Sequence, residues 1–564
     1  MNEARLLAHY ERIADAPDAV ERLRRFILDL AVRGRLVPQD PREDPASDLL
    51  KRIAKEKVRL VSAGKVGKAT PLLPISKEEQ PFDLPNGWAW TRLDALCGLI
   101  TKGSSPKWQG VNYVSVDEGI LFITSENVGN YELRKLDDLK YVETRFRDIE
   151  PRSMLKRGDI LMNLVGASIG RTAIYALEAD ANINQAVALI RLIELSGCTS
   201  IEYLMHFFNS PSAVDFMLGS RVTTAQPNMS LTDVREFPVP FPPLAEQHRI
   251  VAKVDELMTL CDRLVGSRAE REATRDRLAA SSLAHLNAPD SETFRDDARF
   301  ALNALPALTA RPDQIEQLRR TILNLALRGK LVPQNPRDKP AAELLKRIRE
   351  WQLQGIARKE IRAPRKPLKP IGLDESSYLR PDGWEWARLG DVIYIQSGDG
   401  LTAANMACGE IPVFGGNGIN GYHDKSNVNQ PTIVIGRVGY YCGSIHVTPR
   451  KAWITDNAFF THFCQDAIDL RFLVLLLNGT NLKQQENATA QPVISGSKIY
   501  PIVIGLPPLA EQHRVVAKVD ELMALCDQLK VSLTDSATIR RRLLDVLLSE
   551  ALAPVAAREV EAVA

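Results

Sequence analysis

A stretch of 23 residues occurs twice in this chain of 564 residues. Residues 242–264 read PPLAEQHRIVAKVDELMTLCDRL and residues 507–529 read PPLAEQHRVVAKVDELMALCDQL, with three differences between them. Such similarity within one chain indicates an internal duplication, which constrains the fold before any local pattern is considered. We therefore expect two halves built on one plan.

Each copy predicts the start of a long helix. A Pro-Pro pair tolerates the first turn of a helix but cannot continue one from upstream, so the helices should begin near Ala245 and Ala510. Weak similarity continues over about 40 residues, or roughly 60 Å of helix, whereas core helices usually end within about 20 residues. The two helices are therefore predicted to be spacers.

Both helices carry an apolar stripe. Apolar residues recur at alternating spacings of three and four, which is the heptad pattern of a helix that packs along another helix. The stripes are Val251, Val254, Met258, Cys261 and Val265 in the first copy and Val516, Val519, Met523 and Cys526 in the second.

A second repeat predicts a helical hairpin near the start of each half. Residues 19–53 and 314–348 contain the runs LRRFILDLAVRGRLVPQ and LRRTILNLALRGKLVPQ. Their apolar residues have helical spacing, and Gly34 and Gly329 supply the residue at which such helices end. The shorter second helices are predicted at residues 46–58 and 341–352.

Basic linkers and a third repeat follow the hairpins. The linkers at residues 55–74 and 358–370 contain Pro and Gly, and we interpret them as solvated tethers. They lead to PNGWAWTRLDAL from Pro85 and PDGWEWARLGDV from Pro381. A Pro-Asn-Gly or Pro-Asp-Gly turn before alternating Trp and Leu predicts a turn into a half-buried strand.

The regions between the repeats are not alike. Residues 91–241 and 387–506 share little beyond their ends, and both are rich in short β-type runs punctuated by glycine. One short helix is expected in each, near residues 201–208 and 470–477. We predict two mixed α/β domains, and identical frames with divergent inserts suit a protein that reads two different targets.

The order of the pieces predicts the fold class. Because hairpin, variable domain and long helix occur in the same order twice, we expect an α+β fold with a pseudo-twofold axis. The long helices should then be antiparallel and bury their apolar stripes against each other in a coiled-coil-like spacer. The predicted divisions are residues 1–84 (hairpin and linker), 85–241 (first recognition domain), 242–380 (central helical region), 381–506 (second recognition domain) and 507–564 (C-terminal helix).

Composition excludes few classes of protein. The chain is 45% hydrophobic and 25% charged, and its net charge of +2 neither demands nor excludes nucleic acid. It has no run of 18 apolar residues and an acidic N-terminus, which predict a cytoplasmic protein without membrane contact. Seven cysteines without a CxxC pair are interpreted as reduced core residues.

Together, the PPLAEQ helix start, the repeated hairpin, the Pro-Asn/Asp-Gly-Trp turn and the divergent pair of domains resemble the specificity subunit of type I restriction-modification systems. This resemblance covers essentially the whole chain. It implies a DNA-specificity subunit with two target recognition domains, each reading one half of a bipartite asymmetric site in double-stranded DNA. It also implies that the helices set the spacing between the half-sites.

The resemblance further implies partners that carry the chemistry. They are two modification subunits, which methylate adenine, and two restriction subunits, which translocate and cleave DNA. S-adenosylmethionine, ATP and magnesium are expected on those partners, and no cofactor, metal or catalytic residue is expected in this chain.

The sequence agrees with a non-catalytic role. It contains no Asn/Asp-Pro-Pro-Tyr/Phe site of an adenine methyltransferase, no GxxxxGK[ST] phosphate loop and no HExxH pair. Ser168 in GASIGR has no triad context, and we interpret it as a polar loop residue. These absences oppose a self-contained nuclease, whereas a scaffold that joins proteins without reading DNA stays as an alternative.

Glycine-punctuated loops are the predicted DNA-reading elements, because polar and basic side chains there can reach base edges and phosphates. In the first domain they are residues 101–108, 124–130, 166–171 and 223–228, and in the second 415–420, 436–441 and 489–497. The candidate DNA-binding residues are Lys102, Ser104, Ser105, Lys107, Asn127, Ser168, Arg171, Thr223, Gln226, Asn228, Asn417, Asn420, Arg437, Tyr440, Thr489, Gln491 and Ser497.

Overall fold

Two compact units make up the structure, a computed structural model. It describes residues 15–68, 71–195, 197–219, 228–288, 292–362, 367–372, 375, 378–480, 482 and 493–552. The first unit is Met1–Ala269 with Ala537–Ala564, and the second is Glu270–Ser536. Within the described ranges, no helix is both long and apolar enough to cross a membrane.

Sixteen α-helices are described, and two of them are far longer than the rest. They are α1 (Ala19–Val32), α2 (Ala46–Ser62), α3 (Leu93–Leu96), α4 (Phe146–Ile149), α5 (Ile201–Phe208), α6 (Pro211–Leu218), α7 (Leu231–Glu236), α8 (Leu244–Leu286), α9 (Phe294–Asn303), α10 (Leu305–Leu308), α11 (Pro312–Leu327), α12 (Ala341–Ala357), α13 (Leu389–Val392), α14 (Leu470–Gly479), α15 (Gly496–Ile499) and α16 (Leu509–Leu552). The predicted starts of the long helices and the two predicted short helices, α5 and α14, are confirmed.

Nineteen short strands alternate with these helices. In the first unit they are β1 (Ala89–Arg92), β2 (Cys97–Lys102), β3 (Tyr113–Val114), β4 (Gly119–Ile123), β5 (Lys140–Glu143), β6 (Ile160–Asn163), β7 (Thr172–Ile174), β8 (Ala181–Ile183), β9 (Val187–Leu192) and β10 (Pro238–Phe241). In the second they are β11 (Glu385–Arg388), β12 (Ile393–Ser397), β13 (Ile411–Gly415), β14 (Gly418–His423), β15 (Ile433–Gly436), β16 (Ile445–Val447), β17 (Trp453–Ile454), β18 (Ala458–Phe463) and β19 (Val503–Leu506).

The two variable regions share one topology, except that the first has an additional strand, β3, in its second sheet. One sheet has the strand order β2-β9-β6-β7 in the first region and β12-β18-β15-β16 in the second. The other sheet is β3-β5-β4-β8 or β14-β13-β17, and each contains one parallel pair, β4 with β8 or β13 with β17. The α+β class, the two mixed domains and the internal repeat are therefore confirmed.

A two-stranded ribbon closes each variable region onto its frame. In the first unit β1 pairs with β10, with Ala89 opposite Phe241. In the second unit β11 pairs with β19 in the same register, with Glu385 opposite Leu506. The predicted turn into a half-buried strand is thus the first strand of this ribbon, and the chain enters and leaves each region at adjacent points.

The repeated motifs meet one another at one point in each unit. The amide of Gln39, at the end of the hairpin motif, donates to the Gly34 carbonyl at 2.7 Å and to the Glu246 carboxyl at 3.1 Å. Gln334 makes the same two bonds to Gly329 and Glu511, at 2.7 and 3.2 Å. Burial raises the pKa of both glutamates, since desolvation disfavours the charged form. The hairpin and long-helix motifs recur together because their side chains bond to each other.

The neighbouring glutamine ties each long helix to the variable region. The Gln247 side chain accepts from the Ser200 backbone N–H at 2.7 Å, at the start of α5. Gln512 accepts from the Asp469 N–H at 2.9 Å, at the start of α14. The Glu-Gln pair of PPLAEQ therefore fixes the hairpin on one side and the recognition domain on the other.

Gly34 shows why the hairpin ends in glycine. Its φ of +65° is unfavourable for any residue with a Cβ atom. A Cβ there would also lie 2.4 Å from Pro85 Cγ and 3.1 Å from the buried Trp88 ring. The turn that carries Trp88 therefore packs directly on the glycine backbone.

Each apolar stripe has a partner that the sequence did not predict. Val254 and Cys261 are buried in a cluster with Val20 and Ile27 of α1, in the same unit, and Val265 is 48% exposed. Val519 and Cys526 likewise pack with α11 in the second unit. Each stripe thus packs on the hairpin of its own unit.

The long helices are nevertheless antiparallel within the helical core of the first unit. Arg24 of α1 pairs with Asp262, and Arg268 donates to the Ala16 carbonyl at 3.2 Å, so α8 runs antiparallel to α1. The end of α16 runs parallel to α1, because Arg541 lies 3.5 Å from Asp18, whereas Arg35, at the other end of α1, donates to the Leu552 carbonyl. Helix α1 therefore lies between two long segments of opposite direction.

The apolar contacts follow the same arrangement in both units. In the first, the face of α1 that carries Ala19 and Phe26 is covered by Leu544 and Leu547 near the end of α16. In the second, Leu318 of α11 packs on the cluster that contains Leu283 and Leu286 at the end of α8. The hairpin of the first unit is thus completed by the C-terminal part of α16, whose N-terminal part belongs to the second unit. The hairpin of the second unit is completed by the C-terminal part of α8, whose N-terminal part belongs to the first unit.

Candidate nucleic-acid interface

Loops from separate strands converge at one end of the first variable region. The Asn184 N–H, just after β8, donates to the Ile123 carbonyl at the end of β4 at 3.0 Å. The Asn163 side-chain amide, at the end of β6, donates to the Ser125 carbonyl at 2.9 Å. The ends of β4, β6 and β8 and the segments that follow them therefore form one continuous surface.

The loop after the first strand packs against that surface through glycine. A Cβ at Gly103 would lie 1.7 Å from the Ile183 carbonyl oxygen, so only glycine allows this approach. In the second region a Cβ at Gly398 would lie 2.2 Å from the Ile454 carbonyl oxygen. The same close backbone contact therefore brings the first loop into the cluster in both regions.

A six-residue loop of common sequence lies at the centre of each cluster. Residues 165–170 and 438–443 both read Val-Gly-x-x-x-Gly, and the first glycine of each has positive φ, +68° at Gly166 and +83° at Gly439. The sequence interpretation that the regions share little beyond their ends missed this repeat. Three matching residues in six are a weak signal alone, but a search at a constant offset could have found it.

A later segment of the chain completes each cluster at an equivalent position. The Met229 N–H donates to the Leu164 carbonyl at 2.8 Å, and the Ile494 N–H donates to the Arg437 carbonyl at 3.0 Å. Both acceptors directly precede the Val-Gly loop. The two surfaces are therefore assembled from corresponding loops although their side chains differ.

Side chains that project from these loops are basic, polar and aromatic. Lys102, expected in a loop, is the last residue of strand β2 and is exposed, as is Lys107. Trp108, beside Lys107, is 73% exposed. On the second surface Tyr440 is 77% and Tyr441 48% exposed. The candidate residues omitted Trp108 and Tyr441, although an aromatic residue within a polar, glycine-bearing loop was a usable signal in both cases.

Asn127 is a correction to the candidate residues. It is 3% exposed, and its side-chain oxygen accepts from the backbone N–H and the hydroxyl of Thr124, both at 3.0 Å. It therefore shapes its own loop and cannot reach a base. An asparagine that bonds to the backbone of its own turn has the same local sequence as one that projects into solvent.

Ser168 is held inside its loop. Its hydroxyl donates to the Val165 carbonyl at 3.0 Å and is half-buried. The run Gly166 to Gly170, GASIG, has the G-x-S-x-G spacing of a hydrolase nucleophile, but here it connects two antiparallel strands instead of a strand and a helix. The structure thus agrees with a polar loop residue.

Arg437 is anchored more deeply than its loop position suggested. Its guanidinium donates to the Ser397 hydroxyl at 3.2 Å and lies 5.2 Å from the centre of the Phe459 ring. Arg171 is half-buried and directly follows the first Val-Gly loop, whereas Arg437 directly precedes the second. The Arg437 side chain thus helps to hold the loops of the second surface together.

The other candidates lie at varied positions in these surfaces. Asn417 is exposed in the turn between β13 and β14, whereas Asn420, expected in a loop, lies within strand β14. Ser104 accepts from Gln109, Ser105 is half-buried, and Ser497 lies in α15 beside Ser495. Asn228 is exposed and bridges to Val165. Thr223, Gln226, Thr489 and Gln491 lie outside the described residues.

The described residues do not meet the requirements of a metal site. Among the described residues, no group of three or more His, Cys, Asp or Glu side chains is placed to hold a metal ion. The seven cysteines form no disulfides, and all but Cys408 are buried. The prediction that the cysteines lie in the core is thus wrong for Cys408.

The fold and the loops define a class of protein: one duplicated helical frame that presents two different loop surfaces of the same backbone design. The chain belongs to the family of specificity subunits of type I restriction-modification systems. The family model of the Type I restriction modification DNA specificity domain matches residues 118–270 and 381–535. The resemblance found in the repeated motifs is therefore confirmed.

Similar proteins include two specificity subunits of Escherichia coli. The chain is 30% identical to that of the type I restriction enzyme EcoEI and 29% to that of EcoAI, over 94% of each chain. It also overlays on the HsdS subunit of Thermoanaerobacter tengcongensis with a TM-score of 0.41, at 20% identity, over 84% of this chain and 98% of that one. Because this TM-score is below 0.5, the family assignment rests on the sequence matches.

Proposed function

We propose that the two loop surfaces read the two halves of a bipartite, asymmetric site in double-stranded DNA. The observation that carries this proposal is the equivalence of their backbones. The two Val-Gly loops occupy the same position and make the same backbone bonds, yet they carry Ala167 and Ser168 on one surface and Tyr440 and Tyr441 on the other. Lys102, Lys107 and Trp108 are also exposed on the first surface. Equal presentation with unequal side chains is what reading two different sequences requires.

The chemistry of the exposed groups suits the grooves and phosphates of DNA. Lysine ammonium groups contact phosphates as point charges, whereas asparagine amides can pair with adenine. Exposed aromatic rings can pack on sugars or on bases displaced from the stack. A scaffold that does not read DNA would have no need for different side chains at corresponding loop positions, and the related proteins give that alternative no support.

The long helices would set the distance between the half-sites. Helix α8 has 43 residues, which correspond to about 65 Å at the standard rise. Conserved frames of this kind would also dock two modification subunits, and two restriction subunits would join them for cleavage. S-adenosylmethionine, ATP and magnesium would be bound by those partners, and action on cellular DNA would place the complex in the cytoplasm.

DNA binding by the first surface can be tested with its two exposed lysines. We expect Lys102→Ala with Lys107→Ala to weaken binding to all sequences alike and to lower the slope of log K against log salt by about 2, because each lost phosphate contact contributes about 0.9. The measurement is a fluorescence titration of the assembled methyltransferase at several salt concentrations. Lys51→Ala, on the hairpin helix α2 where Lys51 pairs with Asp48, is the control. An unchanged slope would remove these lysines from the interface.

The division of labour gives a second test. Purified alone, the chain is expected to transfer no methyl group from S-adenosylmethionine and to hydrolyse no ATP, since it lacks the motifs that these reactions need. Radiolabelled methyl transfer to DNA and phosphate release would be measured with and without added modification and restriction subunits. Activity in a preparation shown by mass spectrometry to lack the partners would contradict the non-catalytic role.

A further inference from the structure

A groove opens on the first unit beside helices α5 and α8. It has a volume of about 500 Å³ and lies between the segment 131–136, helix α5 and helix α8. Apolar side chains such as Leu133, Met205 and Val251 form much of its wall, and Leu136 at its edge is 48% exposed. The groove is thus built to cover apolar groups of a ligand.

Carboxylates are the only charged side chains that line the groove. They are Glu132, Glu202 and Asp255, and no lysine or arginine is among the lining residues. Within the described residues, no lysine or arginine nitrogen lies within 4 Å of these carboxylates, whereas most acids on α8 have such a partner. Three acidic side chains around an apolar wall exclude DNA and favour a cation carried on an apolar stem.

His206 adds a buried polar atom that has no partner. The residue is 8% exposed, and its Nδ1 lies 3.2 Å from the Tyr131 hydroxyl. Its Nε2 is buried without a hydrogen-bond partner and lies 3.7 Å from the Asp255 carboxylate, beyond bonding distance. Burial lowers the pKa of His206, so that the ring is neutral and Nε2 can accept a hydrogen bond when Nδ1 donates to Tyr131. Because a buried hydrogen-bond acceptor is normally satisfied, we expect a hydrogen-bond donor of a bound ligand to reach Nε2 through the cavity.

Tyr131, the partner of His206, has a strained backbone that the edge of the sheet holds in place. Tyr131 has a φ of +67°, which is uncommon for a residue with a bulky side chain. Its N–H donates to the Thr172 carbonyl at 2.8 Å and its carbonyl accepts from Ile174 at 3.0 Å, so the sheet edge fixes the strained residue. Strain maintained in this way is typical of functional sites.

The equivalent position in the second unit holds a cationic side chain that the lining of the groove lacks. Since Ser200 and Asp469 occupy the same position against the long helices, Glu202 corresponds to Arg471 and Asp255 to Asp520. In the second unit Arg471 pairs with Asp520 at 2.5 Å. The first unit has an acid in place of that arginine, and a leucine stands in the second unit at the position of His206. The second unit therefore supplies its own guanidinium where the first has none.

We propose that the groove of the first unit binds an arginine side chain, with its apolar neighbours, from a modification subunit. The guanidinium of this arginine occupies the position in the first unit that Arg471 takes in the second. There it bonds to Asp255, Glu202 and the free Nε2 of His206. The apolar neighbours pack on the wall at Leu133 and Met205. Because the second unit fills the equivalent cation position with its own Arg471, the two modification subunits are held by unequal contacts. This inference rests on the proposed function for the identity of the partner.

The substitution Glu202→Arg tests the inference because it copies the second unit. It should create an internal pair with Asp255, fill the cation position and leave the fold intact, since the second unit accommodates the same pair. We expect the affinity for one of the two modification subunits to fall at least tenfold. Native mass spectrometry of co-expressed full-length chains should then show complexes with a single modification subunit. Asp255→Asn, at a largely exposed side chain, should weaken the same step about threefold without risk to folding.

The control is Glu256→Arg, which makes the same change of charge as Glu202→Arg. Glu256 follows Asp255 on α8, but it pairs with Lys253 outside the groove. Equal loss of affinity in this variant, or full binding of both subunits by Glu202→Arg and Asp255→Asn, would overturn the inference. Failure of the unaltered chain to bind any modification subunit would instead contradict the proposed function.

Discussion

Exchange of residues 93–237 for the corresponding region of another specificity subunit is expected to replace one half of the methylated motif and leave the other half unchanged. The ends of this segment follow β1 and precede β10, so the pairing of Ala89 with Phe241 and the frame around it are retained. The loop cluster is built within the exchanged segment. Mapping of methylated adenines in cells that carry the hybrid would report both half-sites and the gap between them.

The reciprocal exchange of residues 389–502, between β11 and β19, is the matched control, and it should alter only the opposite half. A change in both halves from either exchange would show that the two surfaces do not read DNA independently. A change in the gap alone would assign the exchanged region to spacing instead of base recognition.

A fragment of residues 1–306 is expected to form a dimer that methylates an interrupted palindrome. The fragment lacks α16, so the face of α1 that Leu544 and Leu547 cover would be exposed. Its own α8 end carries Leu283 and Leu286, which have lost their partners beyond residue 306, such as Leu308. Two fragments can exchange these ends through a true twofold axis and present the first loop surface twice.

Light scattering would give the mass of the fragment, and methylation mapping with added modification subunits would give its target. Leu283→Asp should yield a monomer, because it places a charge on the exchanged face, whereas Arg277→Asp, on the same helix and away from this cluster, should still dimerise. A stable monomer of the unaltered fragment, or methylation of the original asymmetric motif, would refute the exchange of helix ends.

Sequence patterns predicted the frame because its motifs are local and duplicated. The start of α8 follows from a Pro-Pro pair, and the hairpin end follows from Gly34, whose φ is positive. The partner of the apolar stripe could not be predicted in the same way. A heptad pattern states that Val254 and Cys261 need cover, but several helices of similar amphipathic character were available to provide it.

The loop surfaces were predicted as sets more accurately than as single residues. Glycine and polar residues marked where the chain turns, and the described loops do converge. Whether one side chain projects depends on bonds made within its own turn, as for Asn127 and Ser168, or on a contact from a distant strand, as between Arg437 and Ser397. Such bonds follow from three-dimensional proximity, which a single sequence does not encode in any local pattern.

The cover of α1 by residues near Leu544 has a consequence for synthesis on the ribosome. Helix α1 is translated long before Leu544 and Leu547, which bury Phe26. At about 5–20 residues per second, the intervening chain takes roughly half a minute to two minutes to appear. During that time an apolar face of the nascent chain has no native partner, so it is open to chaperones and to neighbouring nascent chains. The half of the protein that is made first is thus the last to be completed.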